Sequence, residues 1–159
     1  MVTARPSVEQ VWDWLAGVPD PEIPVVSVVD LGIVRDVEWR GEELVVTVTP
    51  TYSGCPATGV IQLDIEARLR ECGIANPRLV RRLSPPWTTA WISSGGRARL
   101  ESWGIAPPVE GSASTGLPVP CPRCGSGRTE RISEFGSTPC KAAYRCVECL
   151  EPFDYFKCL

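Results

Sequence analysis

The chain has 159 residues, of which 43% are hydrophobic, and a formal net charge of −3 at pH 7. This length accommodates one domain of ordinary size and a smaller second one. The acidic balance disfavours attraction to bulk nucleic acid, and the lack of histidine excludes imidazole as a metal ligand or catalytic base. With no signal core after Met1 and no apolar stretch of membrane-spanning length, we expect a soluble, cytoplasmic protein.

The beginning of the chain predicts a short amphipathic helix followed by an ordered loop. Ser7 and Gln10 have the spacing of a capping box, and apolar residues follow at helical intervals until Gly17. Two prolines interrupt the segment Asp20-Pro21-Glu22-Ile23-Pro24. This segment and the residues that follow it, up to Gly32, are therefore expected to form a loop and not a strand.

The rest of the first 105 residues alternates between the periodicities of strands and helices. Strand, strand, helix, strand and helix are predicted at about 33–39, 44–49, 56–72, 77–83 and 88–103. Gly41 lies in the turn between the first two strands, and Pro56 suits the first turn of a helix. The order α-β-β-α-β-α indicates a small α+β sandwich.

The C-terminal part of the chain has a different composition. Residues 106–120 are rich in proline, glycine and serine and predict a linker. Residues 121–159 have few apolar side chains and six of the eight cysteines, so this segment needs a metal to fold. We therefore expect three parts: a domain at 1–105, a linker at 106–120 and a small β zinc-ribbon domain at 121–159.

Four of these cysteines form two Cys-x-x-Cys pairs, Cys121 with Cys124 and Cys146 with Cys149. Each pair can direct two thiolates at one point, and two pairs provide the four sulfurs of a tetrahedral zinc site. Gly125, directly after the second cysteine, can adopt the positive φ that such a turn needs. The spacing predicts a metal site.

Spacing does not identify the metal, because an iron–sulfur cluster also uses four thiolates. Zinc is preferred, since two such turns are the commoner structural use. Disulfides are the other interpretation, and a reducing cytosol disfavours them. Cys140 and Cys158 are either additional ligands or packed thiols, and the sequence does not distinguish these.

Cys55 directly precedes Pro56 at the expected start of the second helix. Unpaired N–H groups at a helix N-terminus stabilise an anion, so a thiolate there would be a good nucleophile or metal ligand. The alternative is an inert small residue in a tight turn. Asp20 and Glu22 either place a carboxylate near Cys55 or stabilise their own turn by local hydrogen bonds.

One small basic cluster, Arg78, Arg81 and Arg82, falls in the third predicted strand. A solvated strand face or a contact with a partner is a better interpretation than RNA binding. The chain also has no nucleotide-binding glycine loop and no acid/base constellation. We therefore expect a non-catalytic protein.

Several motifs resemble a known family. The segments Asp20-Pro21-Glu22-Ile23-Pro24, Val29-Asp30-Leu31-Gly32 and Thr49-Pro50-Thr51-Tyr52-Ser53-Gly54-Cys55-Pro56 resemble iron–sulfur cluster assembly factors of the SufT type. With the tail segments Cys121-Pro122-Arg123-Cys124, Phe135-Gly136-Ser137-Thr138-Pro139-Cys140-Lys141 and Glu151-Pro152-Phe153-Asp154-Tyr155, the whole chain is similar to the PaaD family. Members of that family are the D components of bacterial phenylacetyl-CoA epoxidase complexes.

The resemblance implies an accessory role in aerobic phenylacetate catabolism, beside the oxygenase and reductase subunits of the epoxidase. It also implies that Cys55 handles iron or an iron–sulfur cluster, with Asp20 and Glu22 in the acidic loop nearby. The alternatives are a purely structural subunit of the epoxidase and, with less support, a zinc-ribbon protein that binds nucleic acid. Whether the protein also forms a homodimer is left open.

Overall fold

The computed structural model describes residues 4–109 and 118–157. The chain divides into two compact units, residues 1–87 and residues 88–159. Within the described residues, no helix is both long and apolar enough to cross a membrane.

The first unit is a three-stranded sheet with two helices. Its elements are α1 (Val8–Leu15), β1 (Val34–Arg40), β2 (Glu43–Val48), α2 (Thr58–Glu71) and β3 (Arg78–Arg81). The sheet order is β1-β2-β3, with β1 antiparallel and β3 parallel to β2. Since parallel neighbours need a crossover connection, α2 provides the link between β2 and β3.

Helix α1 begins where the sequence predicts it. Ser7 Oγ accepts a hydrogen bond from Gln10 N at 3.2 Å, and Gln10 Oε1 accepts one from Ser7 N at 3.0 Å. This capping box satisfies two helix-end donors, and the helix buries Val11 and Leu15. The capping signal in the sequence therefore places this helix correctly.

The core of the first unit lies between the central strand and the helices. Strand β2 is buried from Leu44 to Val48, so Val45 and Thr47 are covered as well as the alternate residues. A central strand with both faces covered does not show a clean alternation. The buried face of α2 consists of residues four apart, Ile61, Ile65 and Leu69.

The second unit is built on a four-stranded sheet. Its elements are a 3-10 helix (Thr89–Trp91), α3 (Ser94–Ser102), β4 (Ile105–Ala106), β5 (Thr129–Ser133), β6 (Lys141–Cys146) and β7 (Pro152–Phe156). The sheet order is β4-β7-β6-β5. Strands β5, β6 and β7 are antiparallel, whereas β4 runs parallel to β7.

The compact units divide at a different place from the predicted domain boundary. The division falls between Trp87 and Thr88 and not at residue 105, because Ile105 and Ala106 pair with β7. The expected linker also contributes buried residues at both ends, Ala106 and Val119. Its middle, residues 110–117, lies outside the described residues.

The helix predicted at 88–103 is shorter than expected and is preceded by a separate 3-10 turn. Ser93 ends the turn region and becomes the N-cap of α3, with its Oγ accepting from Gly96 N at 2.9 Å. A serine N-cap starts a new helix because its side chain replaces a missing backbone acceptor. Arg97 of α3 connects the two helical segments by donating to the Thr89 carbonyl at 2.9 Å. It also donates to the Pro108 carbonyl at 2.7 Å.

One small hydrophobic cluster of the second unit contains two cysteines. Its buried members are Ala106, Val119, Cys121, Cys146, Phe153 and Tyr155. Tyr144 packs against it, with ring centroids 5.8 Å from Phe153 and 5.5 Å from Tyr155. Sulfur atoms thus take places that aliphatic side chains hold in a larger domain.

Candidate functional site

The structure brings together the four predicted metal ligands. The Sγ atoms of Cys121, Cys124, Cys146 and Cys149 all lie within 4.8 Å of one another. The Sγ atoms of Cys121 and Cys149 are 3.8 Å apart, and those of Cys124 and Cys146 are 3.5 Å apart. Four sulfurs at about 2.3 Å from a tetrahedral zinc ion would be roughly 3.8 Å apart, so this group fits the ion.

Two tight turns aim these thiols. In the first turn, Gly125 N donates to the Cys121 carbonyl at 2.9 Å and Gly125 has a φ of 77°. In the second turn, Leu150 has a φ of 62°, and it is the one non-glycine among the described residues with a positive φ. The equivalent position after the second cysteine of each pair is therefore left-handed in both turns.

The thiols differ in how readily they lose a proton. The backbone N–H of Cys149, aided by that of Glu148, lowers the pKa of Cys146 to about 7 against the effect of desolvation. The Glu151 N–H favours a thiolate at Cys149, but desolvation and the neighbouring sulfurs outweigh it and raise the pKa of Cys149 to about 12. For Cys124, the Ser126 N–H is likewise outweighed by the Cys146 sulfur and desolvation, which raise its pKa.

These pKa shifts suit a site that binds a cation. One thiolate forms easily, and each further negative charge meets the first at under 5 Å. A divalent cation removes this repulsion and allows all four sulfurs to ionise. The pKa shifts and the spacing of the four sulfurs therefore both fit a divalent cation.

Exposed ion pairs connect the two turns at the surface. Arg123 lies 3.0 Å from the carboxylate of Glu151, and Arg128 pairs with Glu148. Exposed pairs of this kind contribute roughly 0–1 kcal/mol each. They orient the turns and do not replace the metal.

The two additional cysteine candidates have different outcomes. Cys140 is buried outside the four-sulfur cluster, with its Sγ 3.0 Å from Thr138 Oγ1. Its carbonyl accepts from Lys157 N at 3.0 Å, which ties it to the strand pair β6–β7. Cys140 is therefore a packed thiol in this structure, whereas Cys158 lies outside the described residues.

Cys55 is half-buried in a loop before α2. Its N–H donates to the Tyr52 carbonyl at 3.1 Å, and its carbonyl accepts from Thr58 N at 3.2 Å. Helix α2 begins at Thr58 with Ala57 as N-cap and no side-chain cap, two residues later than Pro56 suggests. Thr58 Oγ1 is buried there without a hydrogen-bond partner among the described residues.

Arg81 contacts this loop, a role that sequence reasoning did not assign to it. Its guanidinium, at the end of β3, donates to the Ser53 carbonyl at 3.0 Å, two residues before Cys55. The sequence showed only a basic strand, because the contact spans 28 residues of chain. No sequence signal links Arg81 to the cysteine loop.

Asp20 is used by its own turn. It is buried, and its Oδ1 accepts from Glu22 N and Ile23 N, both at 2.9 Å. Among the described residues, the four-cysteine group is the one cluster of three or more potential ligands close enough for a single ion, so Asp20, Glu22 and Cys55 do not form such a cluster. Local hydrogen bonding is the role that the structure shows for Asp20.

Two family models match separate parts of the chain. Residues 8–74 match the family model of iron-sulfur cluster assembly proteins, and residues 106–157 match the PaaD zinc beta ribbon domain. An Escherichia coli (strain K12) protein, described as the D component of a "Putative 1,2-phenylacetyl-CoA epoxidase", is 50% identical over 158 residues. These residues are 98% of this chain and 96% of that protein.

Two solved structures resemble the chain. The crystal structure of a domain of unknown function, DUF59, from Bacillus anthracis has a TM-score of 0.54 and 30% identity, covering 58% of this chain and 90% of that one. A conserved hypothetical protein from Thermotoga maritima has a TM-score of 0.53 and 29% identity, covering 62% and 98%. The α+β fold and the zinc ribbon expected from the sequence are thus confirmed, and the chain belongs to the PaaD family.

Proposed function

We propose that this protein is a non-catalytic accessory component of a phenylacetyl-CoA epoxidase system in aerobic phenylacetate catabolism. It assists assembly of an iron or iron–sulfur centre in the epoxidase through Cys55, in the cytoplasm. Its partners are the oxygenase and reductase subunits, and nucleic acid and membrane have no part in its role. The close relative's description and the iron–sulfur assembly match support this proposal.

The observation that carries the proposal is the surroundings of Cys55. The thiol is half-buried, and backbone hydrogen bonds to Tyr52 and Thr58 hold its loop. It lies three residues before the first residue of α2, whose N-cap makes no side-chain hydrogen bond. An accessible sulfur held close to a helix N-terminus can accept an iron ion or cluster as cargo and release it again. The unpartnered Thr58 Oγ1 adds a polar atom to this region.

The tail has a different task in this proposal. The four cysteines 121, 124, 146 and 149 hold zinc, which makes the ribbon a rigid module for docking on the epoxidase. Zinc suits the site because the donor set is four thiolates in two tight turns, the arrangement of structural zinc sites. An iron–sulfur cluster is the alternative cofactor for the same four sulfurs.

One observation favours the second candidate, a purely structural subunit. Asp20 is occupied by backbone N–H groups and does not combine with Glu22 and Cys55 into a three-ligand cluster. If Cys55 alone were too weak to hold iron, the first unit would only brace the oxygenase. In that case the protein would stay bound to the epoxidase in a fixed ratio.

The deciding experiment compares two cysteine variants during production of the epoxidase. Cys55→Ser is expected to leave the fold intact and yield oxygenase with a reduced iron content. Cys72→Ser, which alters the other half-buried thiol of the first unit, is the control and should give fully loaded oxygenase. Iron is measured on the purified oxygenase, with thermal unfolding of each variant recorded alongside.

Fully loaded, active epoxidase obtained with Cys55→Ser would reject the role of Cys55. If the complex then also retained this protein at a constant ratio, the structural candidate would be accepted. Metal and acid-labile sulfide analysis of the isolated wild-type protein identifies the ion in the ribbon: about one zinc and no sulfide are expected for a four-thiolate zinc site.

A further inference from the structure

We propose that the outer face of α2, formed by Val60, Leu63 and Ala67, is the surface that the iron-receiving oxygenase contacts in order to reach Cys55. This inference rests on the function proposed above and names the contact surface of the same site. The occupant is an apolar patch on the oxygenase that carries a carboxylate at its edge.

The helix α2 is apolar on two opposite faces. Ile61, Ile65 and Leu69 are buried, as an amphipathic helix requires. Val60 and Leu63 are nevertheless 46% and 66% exposed, and Ala67 is exposed as well. Residues at i, i+3 and i+7 of a helix lie on one face, so these three side chains form a continuous apolar stripe in solvent.

The stripe begins beside the cysteine. Val60 lies in the first turn of α2, whose first N–H, that of Thr58, donates to the Cys55 carbonyl at 3.2 Å. A partner that covers Val60 and Leu63 is therefore held within about one helical turn of the loop that presents the thiol. Transfer of a metal ion between proteins needs such proximity.

Leu83, the remaining exposed large apolar residue described in the first unit, also lies on a segment next to the Cys55 loop. Leu83 is 52% exposed and comes two residues after Arg81, whose guanidinium donates to Ser53 of the cysteine loop. Single exposed apolar residues are normal on protein surfaces and need no explanation. Here all three such residues of the described first unit lie on segments that adjoin the Cys55 loop.

Charge indicates what the partner carries. Arg81 and Arg82 directly precede Leu83 in the chain and are exposed, and no carboxylate pairs with either among the described residues. The neighbouring Arg78 is by contrast paired with Glu43 at 3.4 Å. Arginines that lack a carboxylate partner at the edge of an apolar contact favour a partner surface with carboxylates, which orient the encounter.

The size of the stripe argues against a second copy of this chain as occupant. A stable dimer buries about 1,200–2,000 Å² in total, with some 20–30 residues on each side. A stripe of three side chains on one helix is far smaller. It suits a transient contact in which the cargo moves and the partners separate.

The test uses the full-length protein and the purified oxygenase subunit. Leu63→Gln is expected to raise the Kd for the oxygenase by about tenfold, as is usual for an apolar residue that anchors an interface. Ile132→Gln is the matched control, since Ile132 is 61% exposed but lies on β5 of the second unit. Arg82→Glu should weaken binding at low salt and have a smaller effect at high salt.

Equal affinities for Leu63→Gln and wild type would overturn the inference. A concentration-dependent dimer of the isolated protein that Leu63→Gln abolishes would overturn it in favour of a second copy. The proposed function fails separately: if Leu63→Gln weakens binding while Cys55→Ser still gives fully loaded oxygenase, the docking surface stands and the role of the cysteine falls. If Cys55→Ser lowers the iron content and Leu63→Gln binds normally, the role of the cysteine stands and the docking surface is rejected.

Discussion

The first unit buries aliphatic side chains from a sheet and two helices, whereas one hydrophobic cluster of the second unit, with six buried members, includes two cysteines of the candidate metal site. Small domains bury too little apolar surface to balance the entropy lost on folding. A bound ion compensates because its binding free energy is available only in the folded state. We therefore expect the first unit to fold on its apolar content and the ribbon in the second unit to depend on a metal.

This contrast predicts that chelation unfolds one unit and spares the other. Removing zinc at pH 7 withdraws on the order of 10–16 kcal/mol of apparent binding free energy from the second unit. We expect amide signals of residues 118–157 to collapse to the unfolded range in an NMR spectrum, while those of residues 4–87 stay dispersed. Dispersed signals from both units after chelation would show that the ribbon folds without metal.

Single ligand substitutions sharpen the same comparison. Cys146→Ser and Cys149→Ser each remove one sulfur, but Cys146 is a buried core residue and Cys149 is exposed. Both should release zinc, and Cys146→Ser should lower the unfolding midpoint of the second unit further. Equal unfolding midpoints would mean that burial of Cys146 contributes no stability beyond its role as a metal ligand.

A smaller effect is expected at the two left-handed turn positions. Gly125→Ala should destabilise the zinc-bound ribbon by about 1–2 kcal/mol through backbone strain, since no atom lies within 4 Å of the added Cβ. Leu150→Gly relieves the same strain and should stabilise the ribbon by up to about 1 kcal/mol, because glycine also loses more entropy on folding. Denaturant unfolding of the zinc-bound protein measures both changes, and a destabilised Leu150→Gly would contradict the strain at this turn.

The smallest expected effect concerns the number of protons released when zinc binds. A folded metal-free ribbon would keep the pKa of Cys146 at about 7, so the number of protons released per zinc would fall by roughly half a proton between pH 6 and pH 7. An unfolded metal-free ribbon has ordinary thiol pKa values of about 8.5 and would release close to four protons at both pH values. Calorimetry of zinc binding in buffers of different ionisation enthalpy measures this number, and we expect the constant value because chelation is predicted to unfold the ribbon.

Local signals in the sequence located most elements of the chain. The capping box at Ser7, the strand alternation around Gly41 and the paired cysteines each act over a few residues, so they can be interpreted without the rest of the fold. The order α-β-β-α-β-α and the four metal ligands follow from such signals. The motifs shared with the PaaD family lead to the same fold and the same four cysteines.

Other features depend on contacts between distant segments. The unit boundary moved to residue 87 because Ile105 and Ala106 pair with a strand almost 50 residues later. Of the two interpretations of Asp20, a carboxylate near Cys55 or hydrogen bonds within its own turn, the structure shows the local hydrogen bonds. Sequence spacing alone does not show which of two possible partners a segment or side chain contacts.

By itself, the sequence determined that four thiols converge, that the chain before the ribbon has an α+β fold and that no imidazole takes part, since residue types and short spacings carry this information. Only the tertiary structure showed that Arg81 fixes the Cys55 loop, that Cys140 packs away from the metal cluster and that α2 leaves Val60 and Leu63 in solvent. The physical reason is that exposure and long-range hydrogen bonds are set by which segments pack together.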